Sequence, residues 1–91
     1  MTRWDWKEIA PHVYVAGDKR LHGSIWGEFS PMGLVQIGWD VTAEDGRTVG
    51  SGWIDVQSSS QGGIRRAKQT AMERASFFAY GYRSGLRDGA R

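Results

Sequence analysis

The chain has 91 residues, with 12 lysines and arginines, 10 aspartates and glutamates and no cysteine. This length has room for one domain over 1–91, and the missing thiols exclude disulfides, cysteine nucleophiles and cysteine-ligated metals. The first residues are charged and no apolar run reaches the ~20 residues of a membrane span, so we expect a cytoplasmic protein with no membrane contact.

Residues 1–11 form an aromatic segment around Trp4 and Trp6. A short strand is expected at 12–16, although its pairing cannot be read from the sequence. The polar residues that follow are expected to make an exposed connection over 18–23.

Apolar and polar residues alternate over 35–42, which predicts a half-buried strand. The strand leads into a Glu-Asp-Gly-Arg turn at 44–47, for which a two-residue type I′ hairpin loop is expected. That loop pairs Ile37 with Ile54 and places Gly38 opposite Trp53, with Glu44 and Arg47 closing the turn.

A second hairpin is predicted at Ser-Pro-Met-Gly-Leu, residues 30–34, with a three-residue loop that has Gly33 in a left-handed conformation. This loop sets Ile25 opposite Trp39 and Phe29 opposite Val35. The same apolar face then extends over three strands within 12–57.

The apolar spacing changes to that of a helix over 61–82. Serines at 58–60 offer N-caps, and the glycine-spaced residues 83–91 read as a basic tail. We therefore expect an α+β fold, an antiparallel meander of three to four strands with one C-terminal helix packed on one face.

The predicted register places Trp26 and Trp53 on either side of Gly38 on the second sheet face, close to Asp40. Two indoles in an acidic and polar surround are typical of a protein-binding hot spot. The alternative is that the segment containing Trp4 and Trp6 folds over them, and this cover is favoured because so short a chain has few apolar groups to bury.

Charge divides along the chain. Residues 1–61 hold five cations and eight anions, a net −3, whereas 62–91 hold seven cations and two anions, a net +5. A basic C-terminal surface suits an anionic partner, and a solvated helix that balances its own acidic half explains the same residues.

The start of the helix, at 65–71, reads Arg-Arg-Ala-Lys-Gln-Thr-Ala. With the preceding strands it resembles a double-stranded-RNA-binding domain, in which a three-stranded sheet precedes a helix that opens with clustered cations. The resemblance implies phosphate contacts from Arg65, Arg66, Lys68 and Arg74. A small-molecule phosphate site is less favoured than a simple capped helix, because the Gly-x4-Gly-Lys-Ser/Thr spacing is absent.

Catalytic and metal-binding patterns are weak. His12 and His22 lie in different local contexts and form neither a metal pair nor part of a Ser/His/Asp arrangement. Asp40 and Asp55 share the outward face and are read as solvated carboxylates; the alternative is that they offer acidic charge to a partner. We expect no enzyme activity, no metal and no cofactor.

In kind, and not through any motif, the chain resembles the small proteins that phages and mobile elements encode to block a host complex, anti-CRISPR proteins among them. The resemblance implies stoichiometric inhibition of a protein complex, such as nucleic-acid-handling machinery. Direct nucleic-acid binding is the alternative, and a homodimer is a further possibility. The candidate contact residues are Trp26, Trp53, Asp40, Arg65, Arg66, Lys68 and Arg74.

Overall fold

The computed structural model describes residues 4–17, 20–57 and 60–89, with side chains described as far as Tyr82. It confirms an α+β fold in which one antiparallel sheet has the order β1-β2-β3-β4-β5 and is followed by a helix. The meander has five strands instead of three to four. The elements are β1 (Lys7–Ala10), β2 (Val13–Gly17), β3 (Leu21–Ser30), β4 (Gly33–Ala43), β5 (Thr48–Asp55) and α1 (Gln61–Gly89).

The additional strand comes from the N-terminal segment. Lys7 pairs with Val15 and Glu8 with Tyr14, so β1 lies along β2 at one edge of the sheet. The expected exposed connection over 18–23 is wrong from Leu21 onward, because β3 begins there and Leu21 is buried. Leu21 and Ile25 lie on the same face of β3, but Gly23 stands between them and interrupts the apolar alternation in the sequence. Residues 18 and 19 lie outside the described part of the chain.

The β4–β5 register is confirmed, although the loop that produces it differs from the expected one. Ile37 pairs with Ile54, but the Ala43 N–H donates to the Arg47 carbonyl (2.8 Å) and the Gly46 N–H donates to the Ala43 carbonyl (2.9 Å). Only Gly46 of this turn has a positive φ, 86°, whereas a type I′ turn needs two such residues. The loop is therefore one residue longer than expected, and a bulge beyond Val41 restores the pairing.

The β3–β4 register is confirmed between Ile25 and Glu28, extends back to Leu21 and shifts after Glu28. Ser30 pairs with Gly33, which leaves a two-residue loop, and Phe29 pairs with Leu34. The expected pairing of Phe29 with Val35 is wrong. Because the bulge turns this end of the hairpin out of the core, Phe29 is 61% exposed and Val35 40% exposed.

The helix begins with the expected serine cap. The Ser60 hydroxyl oxygen accepts a hydrogen bond from the Gly63 N–H (3.1 Å), while its carbonyl accepts from the Ile64 N–H (3.0 Å). The helical backbone continues to Gly89, beyond the expected end at 82, so the expected tail is helical over 83–89. Each interior glycine lowers helix stability by about 1 kcal/mol without removing a backbone donor, which is why glycine spacing alone did not end the helix.

The core lies between α1 and one face of the sheet. A stripe of alanines one turn apart, each at most 5% exposed, lets the helix approach closely. Opposite it, Ile25, Ile37 and Val41 are fully buried. The Trp39 ring packs on Phe78 at 5.2 Å between centroids. The stripe consists of Ala67, Ala71, Ala75 and Ala79.

The helix runs antiparallel to β5. Ala67, in its first turns, lies beside Ile54, and Phe78 lies over Gly50, where an added Cβ would be 2.6 Å from its ring. Further along, the Arg47 guanidinium donates to the Tyr82 hydroxyl at 3.1 Å. Between Ala67 and Tyr82, one side of α1 therefore follows β5.

Candidate functional site

The face of the sheet that points away from α1 carries the predicted pair of indoles. Gly38 pairs with Trp26 on one side and with Trp53 on the other. The two rings meet edge to face, with centroids 5.7 Å apart and planes at 83°. A Cβ on Gly38 would lie 2.5 Å from Cε2 of Trp26, so the glycine makes room for that indole to lie across the sheet.

Carboxylates border this pair of indoles. We call the two indoles and the neighbouring row of Glu28, Gln36 and Asp55 the indole face. The Trp26 Nε1–H donates to Oε1 of Glu28 at 3.1 Å, which fixes the orientation of the ring. In the same row, Nε2 of Gln36 donates to Oδ1 of Asp55 at 3.0 Å. Both acidic groups stay at the surface, so they give the rim of the indoles a negative charge.

Asp40 lies on the other side of the indoles, in a row with Ser24 and Ser51. Burial raises the pKa of Asp40 above its ordinary value of 3.8, and the neighbouring charge of His22 lowers it in part. This carboxylate is thus partly desolvated, and its ionised form would gain from an incoming cation.

The expected cover over the indole face is wrong. Trp4 and Trp6 lie on the opposite face, where a Cβ on Gly23 would be 2.4 Å from the Trp4 ring. The Trp6 Nε1–H donates to the hydroxyl of Ser76 on α1 at 3.3 Å. The segment turns toward the helix because Gly23 leaves an apolar recess beside the alanine stripe, and Trp53 remains 51% exposed.

The four cations predicted as one cluster lie on different sides of the helix, because successive residues are rotated about its axis. Arg66 and Arg74 lie on the side next to β5, where with Thr70 they line a groove. Lys68 lies on the other side, with its Nζ 5.4 Å from the centroid of the Tyr14 ring. Arg65 is exposed and does not line the groove.

Tyr14 is a neutral partner for Lys68. Burial raises the pKa of the Tyr14 hydroxyl, and the carboxylate of Glu8 raises it further through its charge and a hydrogen bond. A neutral phenol offers its ring face to the ammonium group, so Lys68 is committed to a contact within the fold.

Sequence reasoning missed part of the outward face, because it could not pair β1 and β2. Lys7 and Val15 pair on this face and are followed there by Ser24. Val13 and Val15, at alternate positions of β2, were the sequence signal that could have placed this strand on the outward face. Ile9, also on β1, is 63% exposed.

The histidines remain apart. His12 lies in the turn between β1 and β2 with a φ of 61°, and its ring meets Phe29 at 5.6 Å between centroids. His22 is exposed on β3. Within 4–17, 20–57 and 60–89 no group of three or more histidine, aspartate and glutamate side chains is placed to hold a metal ion.

In the described part of the chain, no helix combines the length and the apolar character needed to cross a membrane.

The structure thus defines an open-faced five-stranded meander backed by one helix. Comparisons with protein-family models, with curated proteins and with solved structures gave no match.

Proposed function

We propose that the protein is a stoichiometric binding protein whose indole face takes a partner protein with cationic side chains. The observation that carries this proposal is the position of Trp26 and Trp53, side by side on the sheet face opposite the helix. Trp53 is exposed and Trp26 is half-buried, and large aromatic rings within a polar rim are the residues that dominate binding energy in protein interfaces.

Charge favours a basic partner. Glu28 and Asp55 border the indoles on one side and Asp40 on the other. An arginine placed over an indole would gain a cation–π contact and reach a carboxylate at the same time. A phosphate backbone would meet these carboxylates instead, so this face does not suit nucleic acid.

The target we infer is a macromolecular complex of the nucleic-acid-handling kind, since such machines present arginine-rich surfaces. A small protein that inhibits its target by covering a surface of it would act as phage-encoded inhibitors such as anti-CRISPR proteins do. This proposal does not involve catalysis, a cofactor or a membrane.

The test is quantitative affinity capture with Trp53→Ala and Trp26→Ala beside the wild type. Phe77→Ala is the matched control, because Phe77 is 65% exposed and lies on the helix, which packs against the opposite face of the sheet. We expect both tryptophan variants to lose a common set of partners that Phe77→Ala retains. Capture of the same set by all four proteins would refute the proposal.

A second candidate function, direct binding of double-stranded RNA, is favoured by one observation. Arg66, Thr70 and Arg74 form a single stripe along one side of α1. The likeness to the double-stranded-RNA-binding domain is reduced in one respect, because β1 and β2 precede the other strands in the chain, where that family has a helix.

Duplex RNA titrated at two salt concentrations tests this candidate. Phosphate contacts release counterions, so affinity must fall steeply as salt rises. Binding that is weakened by Arg66→Glu and Arg74→Glu supports the candidate. Salt-independent binding, or none, excludes it.

A further inference from the structure

The free edge of β5 lies beside the groove that Arg66 and Arg74 line. β5 is the last strand of the sheet, and none of the described residues pairs with its outer side. The Val56 N–H donates to the Val35 carbonyl at 2.9 Å, which fixes the alternation of the ladder. Because alternate residues point away from β4, the N–H and C=O groups of Ser51, Trp53 and Asp55 face the open edge.

We infer that this edge accepts an extended acidic peptide as a sixth strand. Strand addition satisfies the edge backbone groups, and alternate side chains of the added strand point to opposite faces. Those on the helix side would lie next to Arg66 and Arg74 in the groove. Guanidinium groups recognise carboxylates through paired hydrogen bonds. Asp55 also lines the groove, but its Oδ1 accepts from Gln36 and the two arginines outnumber it, so the net positive charge of the groove selects glutamate or aspartate at these positions.

The spacing of the two arginines agrees with such a strand. Arg66 and Arg74 are two helical turns apart, about 12 Å along the axis. Residues four apart in an extended peptide are separated by about 13 Å. Since α1 runs antiparallel to β5, acidic residues at alternate positions can reach both guanidinium groups from one strand.

A second copy of this chain is a poorer occupant. If two β5 edges paired about a two-fold axis, the helices on their common face would be neighbours at roughly 10 Å. The stripe of Arg66 and Arg74 on one copy would then face the same stripe on the other. Like charges across such a contact oppose pairing, whereas an acidic peptide neutralises them.

The probe is a fluorescein-labelled heptapeptide of alternating threonine and glutamate, titrated with the full chain and followed by fluorescence anisotropy. We expect Arg66→Glu and Arg74→Glu each to weaken binding about tenfold or more. Arg65→Glu is the matched control, since Arg65 is exposed on the same helix but outside the groove. It should leave the affinity within about twofold.

A second variant tests the backbone. Ser51→Pro removes an N–H that points to the open edge, and proline is tolerated at such edge positions. We expect it to abolish peptide binding, while Ser51→Thr preserves it. If Ser51→Pro does not fold by circular dichroism, a heptapeptide N-methylated at alternate residues blocks the same ladder and should fail to bind the wild type.

Retained binding in Ser51→Pro, or equal binding of the N-methylated peptide, would overturn strand addition and leave only an anion site. Failure of the wild type to bind the peptide would overturn the inference entirely. A concentration-dependent dimer that Ser51→Pro abolishes would assign the edge to a second copy, and displacement of the peptide by duplex RNA would assign the groove to nucleic acid. Trp53 and Asp55 border both the groove and the indole face, whereas Trp26 does not line the groove, so Trp26→Ala should leave peptide binding intact.

Discussion

Gly38 shows how one missing side chain shapes the indole face. Gly38→Ala would place a Cβ 2.5 Å from the Trp26 ring, which Trp53 and Glu28 hold in position. The indole must swing away, so we expect a loss of about 1–2 kcal/mol in the free energy of unfolding. Urea denaturation measures this loss, and near-UV circular dichroism should lose the signal of the coupled rings.

Gly81→Ala is the matched control for that experiment. An added Cβ at Gly81 meets nothing within 4 Å, and the position is helical. Alanine there should stabilise the protein by up to about 1 kcal/mol through helix propensity. Equal effects of the two substitutions would show that the Trp26 contact does not constrain Gly38.

Asp40 makes stability depend on pH. Burial raises the pKa of Asp40 above 3.8, so the folded chain keeps this proton at a pH where the unfolded chain has lost it. The group therefore favours folding at low pH, and that contribution disappears as the pH rises through the folded pKa. Asp40→Asn should raise the melting temperature at pH 7 relative to the wild type, and the gain should vanish near pH 3.

The neighbouring histidine offers a check on this reasoning. The charge of His22 lowers the pKa of Asp40, against the effect of burial. With His22→Gln in place, the pKa of Asp40 should rise further, and the destabilising effect of the ionised Asp40 should increase. An Asp40→Asn gain that is the same with and without His22 at pH 5 would contradict the assigned cause.

At the scale of elements, the sequence predicted pairings better than loops. In each hairpin the loop differs by one residue from the expected length, and a bulge lies next to the loop. The bulge offsets the change in loop length, so the expected pairing holds along the strands. Hydrophobic alternation constrains which residues face the core, and so it fixes the pairing of Ile25 with Trp39. It does not constrain how the chain turns at a solvated end, which is why Phe29 was misplaced.

The N-terminal segment could not be placed from the sequence, because Trp4 and Trp6 suit either sheet face. The structure selects the helix side through the recess at Gly23 and the hydroxyl of Ser76. Neither feature has a local sequence signal, since the residues in contact are far apart in the chain. The same limitation hid the contact of Lys68 with Tyr14.

A double-mutant cycle tests the contact that holds this segment. Trp6→Phe removes the donor to the Ser76 hydroxyl and Ser76→Ala removes the acceptor. We expect each to lower the free energy of unfolding by about 1 kcal/mol and the pair to be coupled by roughly 0.5–1.5 kcal/mol. Strictly additive losses in urea denaturation would show that the hydrogen bond contributes nothing to docking of the segment.

Across the whole molecule, the sheet separates two kinds of surface. The outward face carries the carboxylates of Glu28, Asp40 and Asp55 around the indoles, and the helix side carries the arginine stripe beside β5. The sequence indicated this division through the change of charge after residue 61, because the helix begins there. It could not show that the cations separate onto two sides of the helix, since that depends on where α1 lies on the sheet.

The sheet also divides the tryptophans, and this division can be measured. Trp39 is 3% exposed beneath the helix, whereas Trp53 is 51% exposed on the other side. Acrylamide quenches only the indoles that it can reach, so Trp53→Phe should remove a large part of the quenching and Trp39→Phe very little. If Trp4 and Trp6 covered the outward face instead, Trp53→Phe would have little effect on quenching. A partner protein bound at the indoles should likewise protect Trp53 of the wild type from acrylamide.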